Sequence, residues 1–203
     1  DEYSRQTICS LYCDSPDDIL ARISLDKPVY KEKLRLRAYG TPTDSSPVFL
    51  EIKKKYDGVV YKRRVSTDFA QAMRFLTEGI PPESGDYVAR QVTAEMTHMI
   101  RRDGLIPRAA VFYDRRAFHC ADDPELRLTL DGNIRYRLGD LDLRNGTDGD
   151  TIPGQPFRIM EIKSASSIPL WLAGTLSELG IHPGSFSKYG SVYKQRFQDL
   201  CTT

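Results

Sequence analysis

Long apolar runs, paired cysteines and a large net charge are all lacking in this sequence. No apolar run approaches the roughly 18 residues that a membrane-spanning helix needs, and no basic segment followed by an apolar one opens the chain. The sequence therefore predicts a fragment that makes no membrane contact. The formal net charge is only +1, which argues against a protein that coats nucleic acid through its overall charge, and no nucleic-acid partner is expected.

Cysteine and histidine are too few and too scattered to form a metal site or a disulfide framework. The four cysteines show neither a CxxC pair nor a Cys/His ligand spacing, and the three histidines have no partner spacing. Cys9 and Cys13 would lie on the same face of one strand, which is a poor geometry for a bridge. Reduced cysteines are typical of the cytoplasm, which is the predicted location. The cysteines are Cys9, Cys13, Cys120 and Cys201.

The charged residues that are present are unevenly distributed. Residues 31–64 hold ten Lys/Arg against four Asp/Glu, a local charge of +6, whereas the remainder of the chain carries −5. In Lys33–Arg37 (KLRLR) cations and leucines alternate with the period of a strand, which places three cations on one face. Val48–Tyr56 and Val59–Val65 flank Asp-Gly, a type I′ turn signal, and are predicted to pair as a hairpin.

Three neighbouring strands would thus bring six cations onto one sheet face. Each pair of cations repels by about 1 kcal/mol at 4 Å in water, so the arrangement is costly unless an anion lies among them. Arginine favours phosphate, because the guanidinium fork matches oxyanion geometry. The alternative, a solvated outer face on which lysines blunt a sheet edge, remains open at this point. The six cations are Lys33, Arg35, Arg37, Lys53, Lys62 and Arg64.

Strands, then helices, then strands and two final helices follow one another along the chain. This order lacks the regular βαβ alternation of a parallel sheet and predicts an antiparallel α+β fold. The length of 203 residues favours one domain. If about eight antiparallel strands curl into a barrel, cations on the later strands can surround the same ligand. These later cations are Arg115 or Arg116, Arg127, Arg135 and Arg137.

An ordered series of motifs resembles a known family. The motifs are SLYCD, PVYKEKLRLRAYG, FLEIKKKYDGVVYKRR, YDRRAF, LRLTLD, MEIK, IPLWL and SFSKY. Together they resemble the VTC domain, the polyphosphate polymerase module of the vacuolar transporter chaperone family within the triphosphate tunnel metalloenzymes. The resemblance implies one domain over residues 1–203, built as an antiparallel β-barrel tunnel with flanking helices. A further strand that family members carry, with an EKKY-like segment, has no counterpart before Ser4.

The resemblance also implies an activity and a set of site residues. It implies transfer of the γ-phosphate of ATP to a growing polyphosphate chain with Mn²⁺ or Mg²⁺, so that ATP, polyphosphate, triphosphate and pyrophosphate are the expected ligands. Glu161 in MEIK matches the metal-binding acid, and Lys188 in FSKY a substrate-binding residue. Lys33 and Arg64 are added as substrate-binding residues by their position on the basic face. The catalytic cations that the resemblance implies are Arg35, Arg37, Lys53, Lys62, Arg115 and Arg127.

Several alternatives stay open at the level of sequence. Water can replace the phosphate-chain acceptor, which would make the protein a metal-dependent triphosphate hydrolase. A basic stripe on an open face would instead form a non-catalytic module that binds polyphosphate or another polyanion. Glu161 could pair with Lys163 on the same strand face rather than bind a metal, and Glu51 is then the second candidate acid.

Overall fold

An antiparallel sheet of eight strands forms the centre of the protein. The computed structural model describes residues 5–26, 28–154 and 157–201, the side chains of 197–201 excepted. The strands are β1 (Arg5–Asp14), β2 (Tyr30–Tyr39), β3 (Pro47–Tyr56), β4 (Val59–Asp68), β5 (Ile106–His119), β6 (Arg127–Arg137), β7 (Asp150–Thr151) and β8 (Ile159–Lys163). Their order in the sheet is β4-β3-β2-β1-β5-β6, and β7 and β8 both pair with β6.

Helices flank this sheet. Those that the structure describes are α1 (Ile19–Leu25), α2 (Phe69–Glu78), α3 (Tyr87–Asp103), α4 (Leu170–Glu178) and α5 (Lys188–Cys201), with a 3₁₀ turn at Leu143–Asn145. Side-chain caps fix where two of them begin. Asp68 accepts a hydrogen bond from the Gln71 amide at 2.7 Å at the start of α2, and Asp86 accepts from the Ala89 amide at 3.0 Å at the start of α3.

The hairpin predicted around Asp57-Gly58 is present. Asp57 has φ 44° and Gly58 has φ 81°, and a type I′ turn requires positive φ at both central residues. The two-residue turn places Tyr56 opposite Val59, which is the first pair of the β3–β4 register. This register in turn decides which side chains of the two strands share a face, because opposed residues of an antiparallel pair point the same way.

The convex face of the sheet is apolar and covered by α2 and α3. Leu34 and Leu36 of β2 are fully buried there, and they belong to the same cluster as Phe75 of α2 and Met96 of α3. The alternation predicted for β2 is therefore confirmed, since Lys33 and Arg35, which alternate with these leucines, lie on the opposite face.

The concave face is filled at one end by α5. Val192 is buried there, and the ring of Tyr189 stacks on that of Tyr12 with 4.8 Å between centroids. The Tyr189 hydroxyl donates to the buried carboxylate of Asp14 at 2.9 Å, and that carboxylate also accepts the Leu20 amide of α1 at 2.8 Å. These contacts fix α1 and α5 to the same end of the sheet.

The antiparallel α+β prediction is confirmed, but the ladder of strands does not close. Among the described residues β4 pairs with β3 and β8 with β6, and the two outer strands do not pair with each other. The far edge of β6 is shared by the five residues of β8 and the two of β7. Both strands are shorter than β4, the ten-residue strand at the other edge of the sheet. The prediction that the first family strand has no counterpart before Ser4 concerns residues 1–4, which lie outside the described part of the chain.

Candidate functional site

The six cations predicted on β2, β3 and β4 lie together on the concave face. Lys33, Lys53 and Lys62 occupy one cross-strand row, and Arg35 and Arg64 lie in the next row on either side of Glu51. Arg37 follows on the same face of β2. The alternation of each strand and the register of the hairpin produce this array together.

Glu51 is the centre of this half of the face. Its side chain is only 2% exposed, and it accepts Arg35 Nε at 2.7 Å and pairs with Lys62 Nζ at 2.6 Å, while Arg37 Nε lies at 3.8 Å. Burial alone would raise the pKa of Glu51, but the charges of Arg35 and Arg37 and the hydrogen bonds from Lys62 and Arg35 lower it to about 2. Glu51 therefore stays ionised and balances part of the positive charge.

The lysines of the same array are crowded by positive charge. Burial lowers the pKa of Lys33, Lys53 and Lys62, and the charge of Arg35 lowers each of them further. The contact with Glu51 raises the pKa of Lys62 but does not reverse the shift. Burial and neighbouring cations both disfavour the charged lysines, so a bound anion would stabilise this face.

A second charged group lies on β5, β6 and α5. Asp131 is fully buried and accepts Arg115 Nε and Nη2 at 2.7 and 2.8 Å, and Lys188 Nζ lies 2.7 Å from the same carboxylate. Burial would raise the pKa of Asp131, but these two cations lower it. The carboxylate thereby joins the first residue of α5 to the sheet and holds Arg115 and Lys188 on the concave face.

Glu161 lies beside this group and is more accessible. It opposes Thr129 in the β6–β8 register, its side chain is 43% exposed, and its oxygens lie 3.8 Å from Arg115 and 3.9 Å from Lys188. Its ion contacts are thus with Arg115 and Lys188. The sequence left open a pair between Glu161 and Lys163 instead, and that pair is not the contact observed. Neither contact is short enough to occupy the carboxylate fully.

The two halves of the face lie opposite each other because the sheet curls. In a flat sheet β3 and β8 would be five strand spacings apart, about 24 Å. Nevertheless, two charges on β8 act on Lys53 of β3. Burial and the charge of Arg35 lower the pKa of Lys53, Glu161 raises it, and Lys163 lowers it. Lys33 Nζ also donates to Ser187 Oγ at 2.9 Å, just before α5. The concave face is therefore one site and not two separate patches.

A cavity of about 280 Å³ opens beside Glu161. Its walls come from the start of β1, the ends of β2, β5 and β8, and the start of β6, which is the end of the sheet opposite α1. Arg127, predicted as a site residue, lies in this wall and opposes Lys163. The residues that matter for its chemistry are Gln6, Tyr39, Arg115, Arg127, Glu161 and Lys163.

The residues present suit a divalent cation that arrives with phosphate, rather than a preformed metal site. In the part of the chain that the structure describes, no group of three His, Cys, Asp or Glu side chains could hold a metal. Glu51 and Asp131 are taken up by cations, which leaves Glu161 as the accessible carboxylate. One or two carboxylates with substrate phosphates are the usual ligands of Mg²⁺ in phosphate sites.

Three of the later cations do not belong to the site. Arg116 opposes Leu130 on the other face, and Arg137 has its guanidinium over the ring of Phe112 at 4.9 Å, also on that face. Arg135 opposes Phe112 and is there as well. The physical reason is a register shift between β5 and β6 near Asn133, which has φ 51° and moves the following residues of β6 to the opposite face.

Asp131 is the main site residue that sequence reasoning missed. It follows Arg127 and Thr129 at intervals of two in LRLTLD, so the period of the strand already placed it on the face of Arg127. Its pairing with Lys188 has no signal in the sequence, because it depends on how α5 packs against the sheet.

The sequence was also compared with known families. A model of the VTC domain matches residues 1–197. The chain belongs to the VTC domain family. Subunit 4 of the vacuolar transporter chaperone complex of Schizosaccharomyces pombe is 23% identical over 245 aligned positions, which cover 99% of this chain and 33% of that protein. The chain thus spans about a third of the length of this relative.

Solved structures that are similar to this chain include two candidate adenylate cyclases. A candidate adenylate cyclase from Bacillus halodurans covers 92% of this chain and 81% of its own, with a TM-score of 0.54 and 13% identity. The triphosphate tunnel fold implied by the sequence motifs is thereby confirmed for this VTC domain. A candidate adenylyl cyclase from Hippeastrum with dominant triphosphatase activity covers 94% of this chain and 83% of its own, with a TM-score of 0.46 and 16% identity.

No helix in the described part of this VTC domain is both long and apolar enough to cross a bilayer.

Cys9, Cys13 and Cys120 are free thiols. Burial raises the pKa of Cys9 to about 11 and that of Cys13 to about 12, so both thiols stay protonated and unreactive near neutral pH.

Proposed function

We propose that this domain is a polyphosphate polymerase that transfers the γ-phosphate of ATP to the end of a growing polyphosphate chain. The observation that carries the proposal is the charge of the concave face. Ten cations line the middle and the cavity end of this face, and Glu51, Asp131 and Glu161 contact them and leave a surplus of seven positive charges, which a chain of phosphates would neutralise. The ten cations are Lys33, Arg35, Arg37, Lys53, Lys62, Arg64, Arg115, Arg127, Lys163 and Lys188.

Phosphoryl transfer asks little covalent chemistry of a protein. A terminal oxygen of the acceptor chain attacks the γ-phosphorus, the bond from that phosphorus to the bridging oxygen breaks, and ADP leaves with the electron pair of that bond. Catalysis then consists of aligning donor and acceptor and stabilising the charge on the phosphoryl oxygens. Arg35 and Arg37 on one side, with Arg115 and Lys188 on the other, are suited to this because the face is continuous between them.

Mn²⁺ or Mg²⁺ is part of the proposal. When bound, such an ion neutralises charge on the donor phosphates. Glu161 is the residue that would hold it, since its carboxylate is accessible and the other two carboxylates of the face are paired. ATP, polyphosphate, triphosphate and pyrophosphate are the ligands that the face would accept. The cytoplasmic setting predicted from free cysteines belongs to the same proposal.

The test is incubation of the protein with ATP and Mn²⁺, followed by nucleotide analysis and a gel for phosphate chains. The polymerase proposal expects ADP together with a ladder of long chains. Inorganic phosphate without a ladder would instead identify a triphosphate hydrolase, a second candidate favoured by the 43% exposure of the Glu161 side chain, which leaves this part of the site open to water. No ADP at all, with retained binding of triphosphate, would identify a polyanion-binding module and refute both.

A further inference from the structure

The cavity beside Glu161 has two chemically different walls. Arg115, Arg127 and Lys163 make one wall cationic. Tyr39, the last residue of β2, stands in the other wall beside Ile8, with which it is paired across the strands. A chain of phosphates would use the first wall and leave the second unused.

Tyr39 presents a partly exposed aromatic ring that packs against a neighbouring ring. The residue is 45% exposed although it lies on the concave face, and Phe49 supports its ring edge-on at 6.0 Å between centroids. Arg64 in turn lies over the ring of Phe49 at 4.8 Å. A partly exposed aromatic ring that packs on a neighbour is a surface on which another flat ring can stack.

A ligand that uses both walls must join a flat ring to a chain of negative charges, which describes a nucleoside triphosphate. We propose that Tyr39 is the stacking platform for the nucleobase of the nucleotide donor, with the Gln6 amide beside the base edge and the phosphates on Arg115 and Arg127. This inference rests on the proposed function and adds a residue that tells a nucleotide from an inorganic phosphate chain. Stacking of a base on an aromatic side chain tolerates any base, so the platform selects nucleotides rather than adenine alone.

The experiment compares two ligands on four proteins. Affinities for ATP and for inorganic tripolyphosphate are measured by calorimetry, without metal, for the wild type, Tyr39→Leu, Tyr39→Phe and Tyr56→Leu. Leucine removes the aromatic face but keeps an apolar side chain, and phenylalanine keeps the ring. Tyr56 is the matched control, because it is a 58% exposed tyrosine at the opposite end of the sheet.

In the expected result Tyr39→Leu binds ATP about tenfold more weakly, which corresponds to about 1.4 kcal/mol, and binds tripolyphosphate as the wild type does. Tyr39→Phe and Tyr56→Leu should match the wild type for both ligands. Equal losses for ATP and tripolyphosphate in Tyr39→Leu would show that Tyr39 only supports the sheet, and unchanged ATP binding would show that the base stays outside the cavity. Either result overturns the inference.

These affinities, together with the gel assay for phosphate chains, separate this inference from the polymerase proposal. If ATP and tripolyphosphate both bind and only ATP depends on Tyr39, while no phosphate ladder forms, the platform stands and the polymerase does not. If a ladder forms and ATP binding is indifferent to Tyr39, the reverse holds. If the wild type binds neither ligand, both proposals fail.

Discussion

Replacing Glu51 by glutamine should lower stability and raise phosphate affinity at the same time. The substitution keeps the shape of the side chain but removes the negative charge that pairs with Arg35 and Lys62. The lowering of the Glu51 pKa from 4.5 to about 2 corresponds to roughly 3 kcal/mol at 1.36 kcal/mol per unit. Because Lys62 is exposed to water, we expect a loss of about 2 kcal/mol, or about 4–8 °C in Tm for a domain of this size.

The sign of the pH dependence provides an independent check. A carboxyl whose folded pKa lies below its unfolded pKa contributes its full stability above the unfolded value, here 4.5, and loses it as the pH falls towards 2. The difference in unfolding free energy between the wild type and Glu51→Gln should therefore be largest near about pH 7 and shrink below about pH 4. Urea unfolding of both proteins near about pH 7 and below about pH 4 measures this difference.

Glu78→Gln is the control for this experiment. Glu78 is an exposed residue whose carboxylate lies 3.8 Å from Arg74 on α2, so its loss should change stability by less than about 0.5 kcal/mol. The reasoning is refuted if Glu51→Gln is as stable as the wild type at neutral pH, or if the difference does not depend on pH. It is also refuted if tripolyphosphate binds Glu51→Gln more weakly, because the variant has one more uncompensated positive charge on the concave face.

Three further predictions concern ligands. Lys53→Ala should weaken tripolyphosphate binding in calorimetry by about tenfold with and without Mn²⁺, since a cation contacts phosphate directly; a loss confined to Mn²⁺ would contradict this. Glu161→Gln should keep or tighten metal-free binding but lower Mn²⁺-dependent turnover about a hundredfold or more; full turnover would assign the metal elsewhere. Tripolyphosphate should raise Tm, and less so in high salt; an equal rise with an uncharged sugar would refute a charge-based site.

Local rules of the backbone account for what could be predicted from the sequence. The period of two in KLRLR placed Lys33, Arg35 and Arg37 on one face, and Asp57-Gly58 set the hairpin that aligns Lys53 with Lys62. Both depend only on residues that are neighbours in the chain or joined by a tight turn. Strand alternation and turn geometry need no knowledge of the rest of the fold.

Register and curvature were decided by the tertiary structure alone. The shift at Asn133 sends Arg135 and Arg137 to the convex face, although the alternation of β6 had placed them beside Arg127. The pairing of Asp131 with Lys188, and the approach of Glu161 to Lys53, depend on how far the sheet curls. These contacts join residues far apart in the sequence, and their geometry is set by the sum of many strand pairings, none of which a local pattern contains.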